Sequence, residues 1–350
     1  MIFALQEAGV SHEWSSGVIV GTLTAGIALL LLFGLYEAWV TYKTTKEPIF
    51  PMHFLRNPSM ALTLLSMFLM GMPFYVVFVQ LPQRFQVVNF TSAERAGILL
   101  LPATLVTPVG AMVAGLGAKK IPVELILIAS AAVVCVGVGL LSSLPTNSAL
   151  WPGTHGYEVI AGLGLGLASP PYYMLIATSI EENHLSVGTG ALNMVRTLGG
   201  CVAIAICSAI HREFLNQRLP EILSQVQIAA VQKSSSYIAQ LPKETRYRVG
   251  RVFGQSYNRQ FQIMLAFAGL NIIVAIILAI VRKKKGLYGA TAQRKEANEF
   301  MRATEPEAEA REKEEATTTV SAPEYCLAPG QVPKDVSASN TQNADSEKKS

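Results

Sequence analysis

The sequence predicts an all-α polytopic membrane protein with about seven transmembrane helices. Three observations lead there. The chain is 51% hydrophobic and only 15% charged, a balance foreign to soluble domains. Apolar stretches near 20 residues long, enough to cross about 30 Å of hydrocarbon, fall at about 17–40, 58–80, 97–117, 123–144, 157–178, 190–211 and 262–281. The charge between them is confined to a few loops and the tail.

Taken in order, residues 1–16 read as the outer end of a preceding span, because MIFALQEAG runs from an apolar start into Gln-Glu-Ala-Gly. They carry no basic n-region and no small-residue cleavage site, so they do not make a signal peptide. Residues 17–57 follow as one span and a loop. The short loops set the orientation: 41–57 holds Lys43, Lys46 and Arg56 and 118–122 holds Lys119 and Lys120, against Arg84 and Arg95 alone in 81–96 and 145–156. The positive-inside rule then puts the two basic loops in the cytoplasm, the amino terminus outside and the tail inside. Arg282-Lys283-Lys284-Lys285 directly after the last span agrees. The stretch 212–261 is expected as a long extracellular loop, and its eight Lys and Arg residues disagree with that side, although long loops are translocated with weak regard to charge. From 286 to 350 the chain is polar without apolar periodicity, and a disordered cytoplasmic tail is expected.

Between Tyr75 and Pro102 the chain reads YVVFVQLPQRFQVVNFTSAERAGILLLP. The order of LP, FQ, a serine, AG and LLP resembles the seam between two spans in the carboxyl half of major facilitator drug:proton antiporters. The likeness is to the fourteen-span multidrug and toxin efflux branch found in fungi. It covers about 1–285, with 17–40 matching a linker span and 58–285 the carboxyl-terminal six-helix bundle. The resemblance implies alternating-access export of small amphipathic molecules driven by a proton gradient, with no bound cofactor. It also implies that the amino-terminal half is missing, since neither its Gly-Asp-Arg-Arg loop nor its Gly-Pro-rich motif is found. Expected partners are a small-molecule substrate, the lipid bilayer, and that missing half or an intact transporter, with no nucleic acid. The plasma membrane is preferred over the vacuole. The alternatives are a seven-span receptor, for which no Asp-Arg-Tyr or Asn-Pro-x-x-Tyr signature is present, and an inactive fragment associating with an intact transporter.

Several residues stand out as sites. Gly162 and Gly166, like Gly17 with Gly21 and Gly110 with Ala114, form small-xxx-small ridges that let helices approach closely. Pro170 and Pro171 remove two amide donors, and a broken helix at membrane depth is expected to face protein or a water-filled cavity. Tyr172 and Tyr173 after that break, and Tyr75 and Gln80 on the second span, are substrate-cavity candidates; interfacial anchoring or helix–helix hydrogen bonding is the plainer alternative. Asn193 and Arg196 are further candidates: Asn193-Met194-Val195-Arg196-Thr197-Leu198-Gly199-Gly200 resembles the family's Arg, Thr or Ser, Leu, Gly, Gly segment of the penultimate helix. A central arginine costs about 2.5–3.5 kcal/mol on insertion scales and is usually paired or faces water. Arg196 has Glu181 and Glu182 as candidate partners, or snorkels to the interface. Asn89-Phe90-Thr91 is a glycosylation sequon close to the bilayer, which disfavours modification of Asn89. Glu37, Glu124 and Glu158 read as interfacial charges, leaving no carboxylate at depth for proton coupling. Cys135, Cys201 and Cys207 read as small apolar groups. The histidines do not cluster, so no metal site is expected, and no P-loop, zinc or nucleophile-elbow motif argues for an enzyme.

Overall fold

A computed structural model describes residues 16–43, 56–180, 184–233 and 235–288. The amino-terminal end, the loop around Pro51, Glu181 and Glu182, and the tail beyond 288 lie outside the described residues. Seven of the described helical stretches are long and apolar enough to cross a membrane. In hydrocarbon every backbone amide must be satisfied within its own segment, and a helix achieves this.

The first helix, α1 (Gly17–Lys43), spans 27 residues. No other described helix packs extensively along it, and Leu29, Leu31, Leu32 and Leu35 are exposed. Ile19, Glu37 and Val40 of the same helix are buried. The Gly17 and Gly21 ridge meets nothing within 4 Å.

The bundle begins at α2 (Pro58–Val88), where the Asn57 side chain accepts from Ser59 N and Pro58 occupies the first turn. A short α3 (Ala93–Leu99), capped by Ser92, runs almost directly into α4 (Leu101–Gly117). Pro102 sits in the first turn of α4, where its missing N–H is not needed. Then come α5 (Val123–Leu141), α6 (Gly153–Ala177), α7 (Leu185–Arg218), α8 (Gln225–Lys233) and α9 (Lys243–Lys284).

Two sets of three long helices pack in the same way. In the first set, α2 lies along α7 and α9; in the second, α6 lies along α4 and α5. Contact between α5 and α9 joins the two sets. Exchanging α2, α4 and α5 for α6, α7 and α9 maps this pattern onto itself, the mark of an internal repeat. Glycines set the two tightest seams alike. Between α4 and α6, a Cβ on Gly162 would lie 2.5 Å from the Ala103 carbonyl oxygen, and one on Gly166 would collide with that of Thr107. Between α2 and α7, Gly71 meets the Arg196 carbonyl and Gly199 that of Phe68 in the same manner.

Two expectations change. The helix α6 continues unbroken through Pro170 and Pro171; proline φ suits a helix, and the lost bonds are tolerated where neighbours enclose the turn, as they do for Pro171. The stretch 212–261 is largely helical rather than a loop. With 34 and 42 residues, α7 and α9 measure about 50 and 63 Å at 1.5 Å per residue, well beyond the hydrocarbon thickness. Their projecting ends, α8 and the end of α2 enclose a second apolar core around Leu215, Leu219, Ile228, Val249 and Phe253.

We expect Gly166→Val to destabilise the detergent-solubilised protein by about 1–3 kcal/mol, the usual effect of overpacking. Gly21→Val, on an open face of α1, should leave the thermal midpoint unchanged.

Candidate functional site

Most of the bundle surface outside its core is aliphatic: Leu270, Ile273, Ile277 and Ile280 line one side of α9, and Leu105, Val109, Met112 and Leu116 one side of α4. A different surface lies where α2, α6 and α7 meet. Ser186, Asn193 and Thr197 are exposed along α7 at spacings of seven and four, which places them on one helix face. Across from them, Tyr173 OH donates to Asn193 Oδ1 at 2.9 Å. Thr197 Oγ1 donates to the Asn193 carbonyl at 2.9 Å, which leaves Tyr75 OH, 3.2 Å away, as donor to Thr197. Arg196 is half-buried beside this row, its guanidinium 5.4 Å from the Phe74 ring centre, a cation–π contact. Its Nε is buried with no hydrogen-bond partner among the described residues. The Arg196 backbone is where α2 and α7 come closest, against Gly71. A cation, an amide, two phenols and an aromatic ring are thus gathered on one face of an otherwise greasy bundle. Such a surface can hydrogen-bond and stack against an amphipathic molecule while leaving most of its contact apolar.

Not every sequence candidate reaches this face. Tyr172, one position from Tyr173 and so about 100° round the helix, is fully buried. Its hydroxyl donates to the Ser66 carbonyl at 3.2 Å, and Ser66 Oγ donates to Asn271 Oδ1 at 2.7 Å, tying α6, α2 and α9 together. Tyr172 is therefore a helix–helix hydrogen-bonding residue rather than a cavity-lining one. Gln80 is buried too. Gly162 and Gly166 pack, as described above, and Pro170 and Pro171 lie within the continuous α6. Asn89 donates from Nδ2 to the Ser148 carbonyl at 3.2 Å, so the atom that glycosylation would use is engaged in holding the α5–α6 loop. The suggested partners of Arg196, Glu181 and Glu182, lie outside the described residues.

The sequence gives no sign of how its charges are paired. Glu37, Glu124 and Glu158, read as interfacial charges, are all enclosed by protein. Glu124 Oε1 accepts from Arg282 Nε at 2.8 Å, and both side chains are 2% exposed. The other guanidinium nitrogens donate to Ser59 Oγ at 3.2 Å, Ser179 Oγ at 2.9 Å and Thr178 Oγ1 at 2.8 Å. Nearby, Lys285 Nζ donates to Asn57 Oδ1 at 2.9 Å. One arginine thus joins the Pro58 end of α2, the start of α5, the end of α6 and the end of α9. Arg282 had read as one of four flanking basic residues, and nothing in its local sequence marks it off from Lys283.

An all-α membrane bundle built from a repeated three-helix unit, with one polar face, is the architecture of secondary transporters. Residues 3–204 match the Major Facilitator Superfamily. The chain is 32% identical over 288 residues to the MFS-type transporter FPY5 of Fusarium mangiferae, covering 81% of this chain and 48% of that one. It is 26% identical over 286 residues to the MFS-type efflux transporter pyiT of Pyricularia grisea, covering 79% and 46%. It is 24% identical over 289 residues to the efflux pump dotC of Dothistroma septosporum, covering 79% and 48%. The chain belongs to the Major Facilitator Superfamily, and so stands with transporters rather than enzymes, as a multi-pass membrane protein. It spans about half the length of these curated relatives.

Removing one member of a buried ion pair strands the other. We expect Arg282→Ala to cost about 3–5 kcal/mol, while replacing Arg282 and Glu124 together by methionine restores most of the loss. Denaturant unfolding in micelles measures both. Equal losses for the single and double variants would contradict the pairing.

Proposed function

We propose that this chain forms one half of an exporter of small amphipathic molecules that works by proton-coupled antiport and alternating access. The observation that carries the reading is the polar and aromatic face on α2, α6 and α7. It is the kind of wall that a substrate cavity needs and that lipid contact would penalise. The efflux names of the relatives support the direction of transport. Their length supports the half: a second bundle would supply the opposite wall, from an upstream part of the same protein or from an associated transporter. The fourteen-span drug:proton branch, multidrug or toxin substrates and the plasma membrane belong to the same proposal.

In this reading Tyr75, Tyr173, Asn193 and Arg196 contact substrate. The phenols and amide give hydrogen bonds of modest worth, so many compounds can be accepted. Arg196 adds a preference against cationic ligands unless a carboxylate of the other half offsets it. The substrate hydrogen bonds replace those the face makes with itself.

Export is tested by expressing the chain with its opposing half in an efflux-deficient host and following energy-dependent loss of a fluorescent amphipathic dye. Efflux should collapse with a protonophore. Arg196→Ala should abolish it at unchanged surface abundance; undiminished export at that abundance would reject the assigned role.

A further inference from the structure

Glu158 lies in the second turn of α6 and is fully buried, although it comes from a part of the sequence that reads as a membrane boundary. Residues three and four positions on share its helix face. Those residues are Ala161, which touches Gly137 of α5, and Gly162, which touches Ala103 of α4. The carboxyl group therefore points into the seam between α4 and α5, away from the polar face on α7. Its Oε2 is 3.2 Å from His155 Nδ1, and its Oε1 is buried with no hydrogen-bond partner among the described residues. His155, at 38% exposed, is in reach of water.

Among the described residues the surrounding helices bring no second partner. On α6 itself the other titratable groups are tyrosines, and α4 carries none. On α5, Glu124 is held by Arg282 at the far end and Cys135 is a half-buried thiol. On α2, Tyr75 faces Thr197 and Arg84 donates to the Pro145 carbonyl. On α7, Arg196 lies over Phe74 and His211 is bonded to Ser256 and Gln260. Arg212 and Glu213 follow His211 at the end of the span, and Glu94 and Arg95 on α3 are exposed. A carboxylate enclosed in this way, with one oxygen unmatched, bears a desolvation cost that a proton removes.

We propose that Glu158 with His155 is a proton-binding site of this chain. The imidazolium passes its Nδ1 proton to Glu158 Oε2, the carboxylate becomes the neutral acid, and the imidazole takes its next proton from water. The assignment deepens the antiport reading and rests on it for its purpose, by naming where this half takes up the coupling ion. Proton binding itself is a property of the chain and can be read without transport.

The test is infrared difference spectroscopy on the full chain in phosphatidylcholine vesicles, stepped from alkaline to acidic pH. The chain has 24 Asp and Glu residues, so the wild type should gain a component of the carboxylic-acid carbonyl band, seen as the wild-type minus Glu158→Gln difference, that the variant lacks. His155→Ala should shift the midpoint of that band by about one pH unit, the worth of a hydrogen bond to a charged group. Identical spectra for the wild type and Glu158→Gln overturn the proposal. If Glu158→Gln does not yield monodisperse protein, an unchanged midpoint in His155→Ala overturns it instead. A chain that shows the band yet forms no protonophore-sensitive exporter contradicts the antiport reading and leaves the proton site standing.

Discussion

The structure depends first on how closely helix backbones approach one another. Lipid tails are as apolar as leucine side chains, so helices in a bilayer gain little from hiding apolar surface and must associate through contact and hydrogen bonds. Here the contact is backbone on backbone: Gly166 against Thr107, Gly162 against Ala103, Gly71 against Arg196, Gly199 against Phe68. The two seams occupy equivalent places in the repeat. The α2–α7 seam brings Tyr75 within reach of Thr197 and sets Arg196 beside Phe74, so the polar face is a direct consequence of where glycine allows the helices to touch.

A second constraint is electrostatic and acts at one end. Four helix termini converge on Arg282, whose fork is filled by one carboxylate, three hydroxyls and the Leu287 carbonyl. Removing either member of such a buried pair strands the other, and the contacts of Arg282 tie all four termini together. The glycine seams and this centre hold the helices of the bundle to one another at both levels, which suits the proposed mechanism in which two such bundles rock about a shared cavity. The far ends of α7 and α9 share a separate apolar core at the opposite end.

The spans were legible because length and hydropathy report on the hydrocarbon directly. So were Gly162 and Gly166, whose spacing states their purpose. Helix rotation was not, because lipid-facing and core-facing sides of a membrane helix are equally apolar and the helical period fades from the pattern. That is why Tyr172 and Tyr173 could not be told apart, although one is a core bond and the other a face residue. Partnership was illegible too. Arg282 and Glu124 lie 158 residues apart, and each alone resembles an ordinary boundary charge. The helices of 212–261 were hidden by their charge, which reads as loop when the expected element is a hydrophobic span.

The central claim is that the face carrying Asn193 and Thr197 borders water rather than lipid. It is tested most directly by placing single cysteines at Asn193, Thr197 and Ile273 in the full chain and treating intact membranes with a charged, water-soluble maleimide. The account predicts rapid labelling at Asn193 and Thr197 and none at Ile273 on the exposed aliphatic side of α9. Labelling at Asn193 and Thr197 as slow as at Ile273 would show that the polar face lies against lipid or packed protein, and would contradict it.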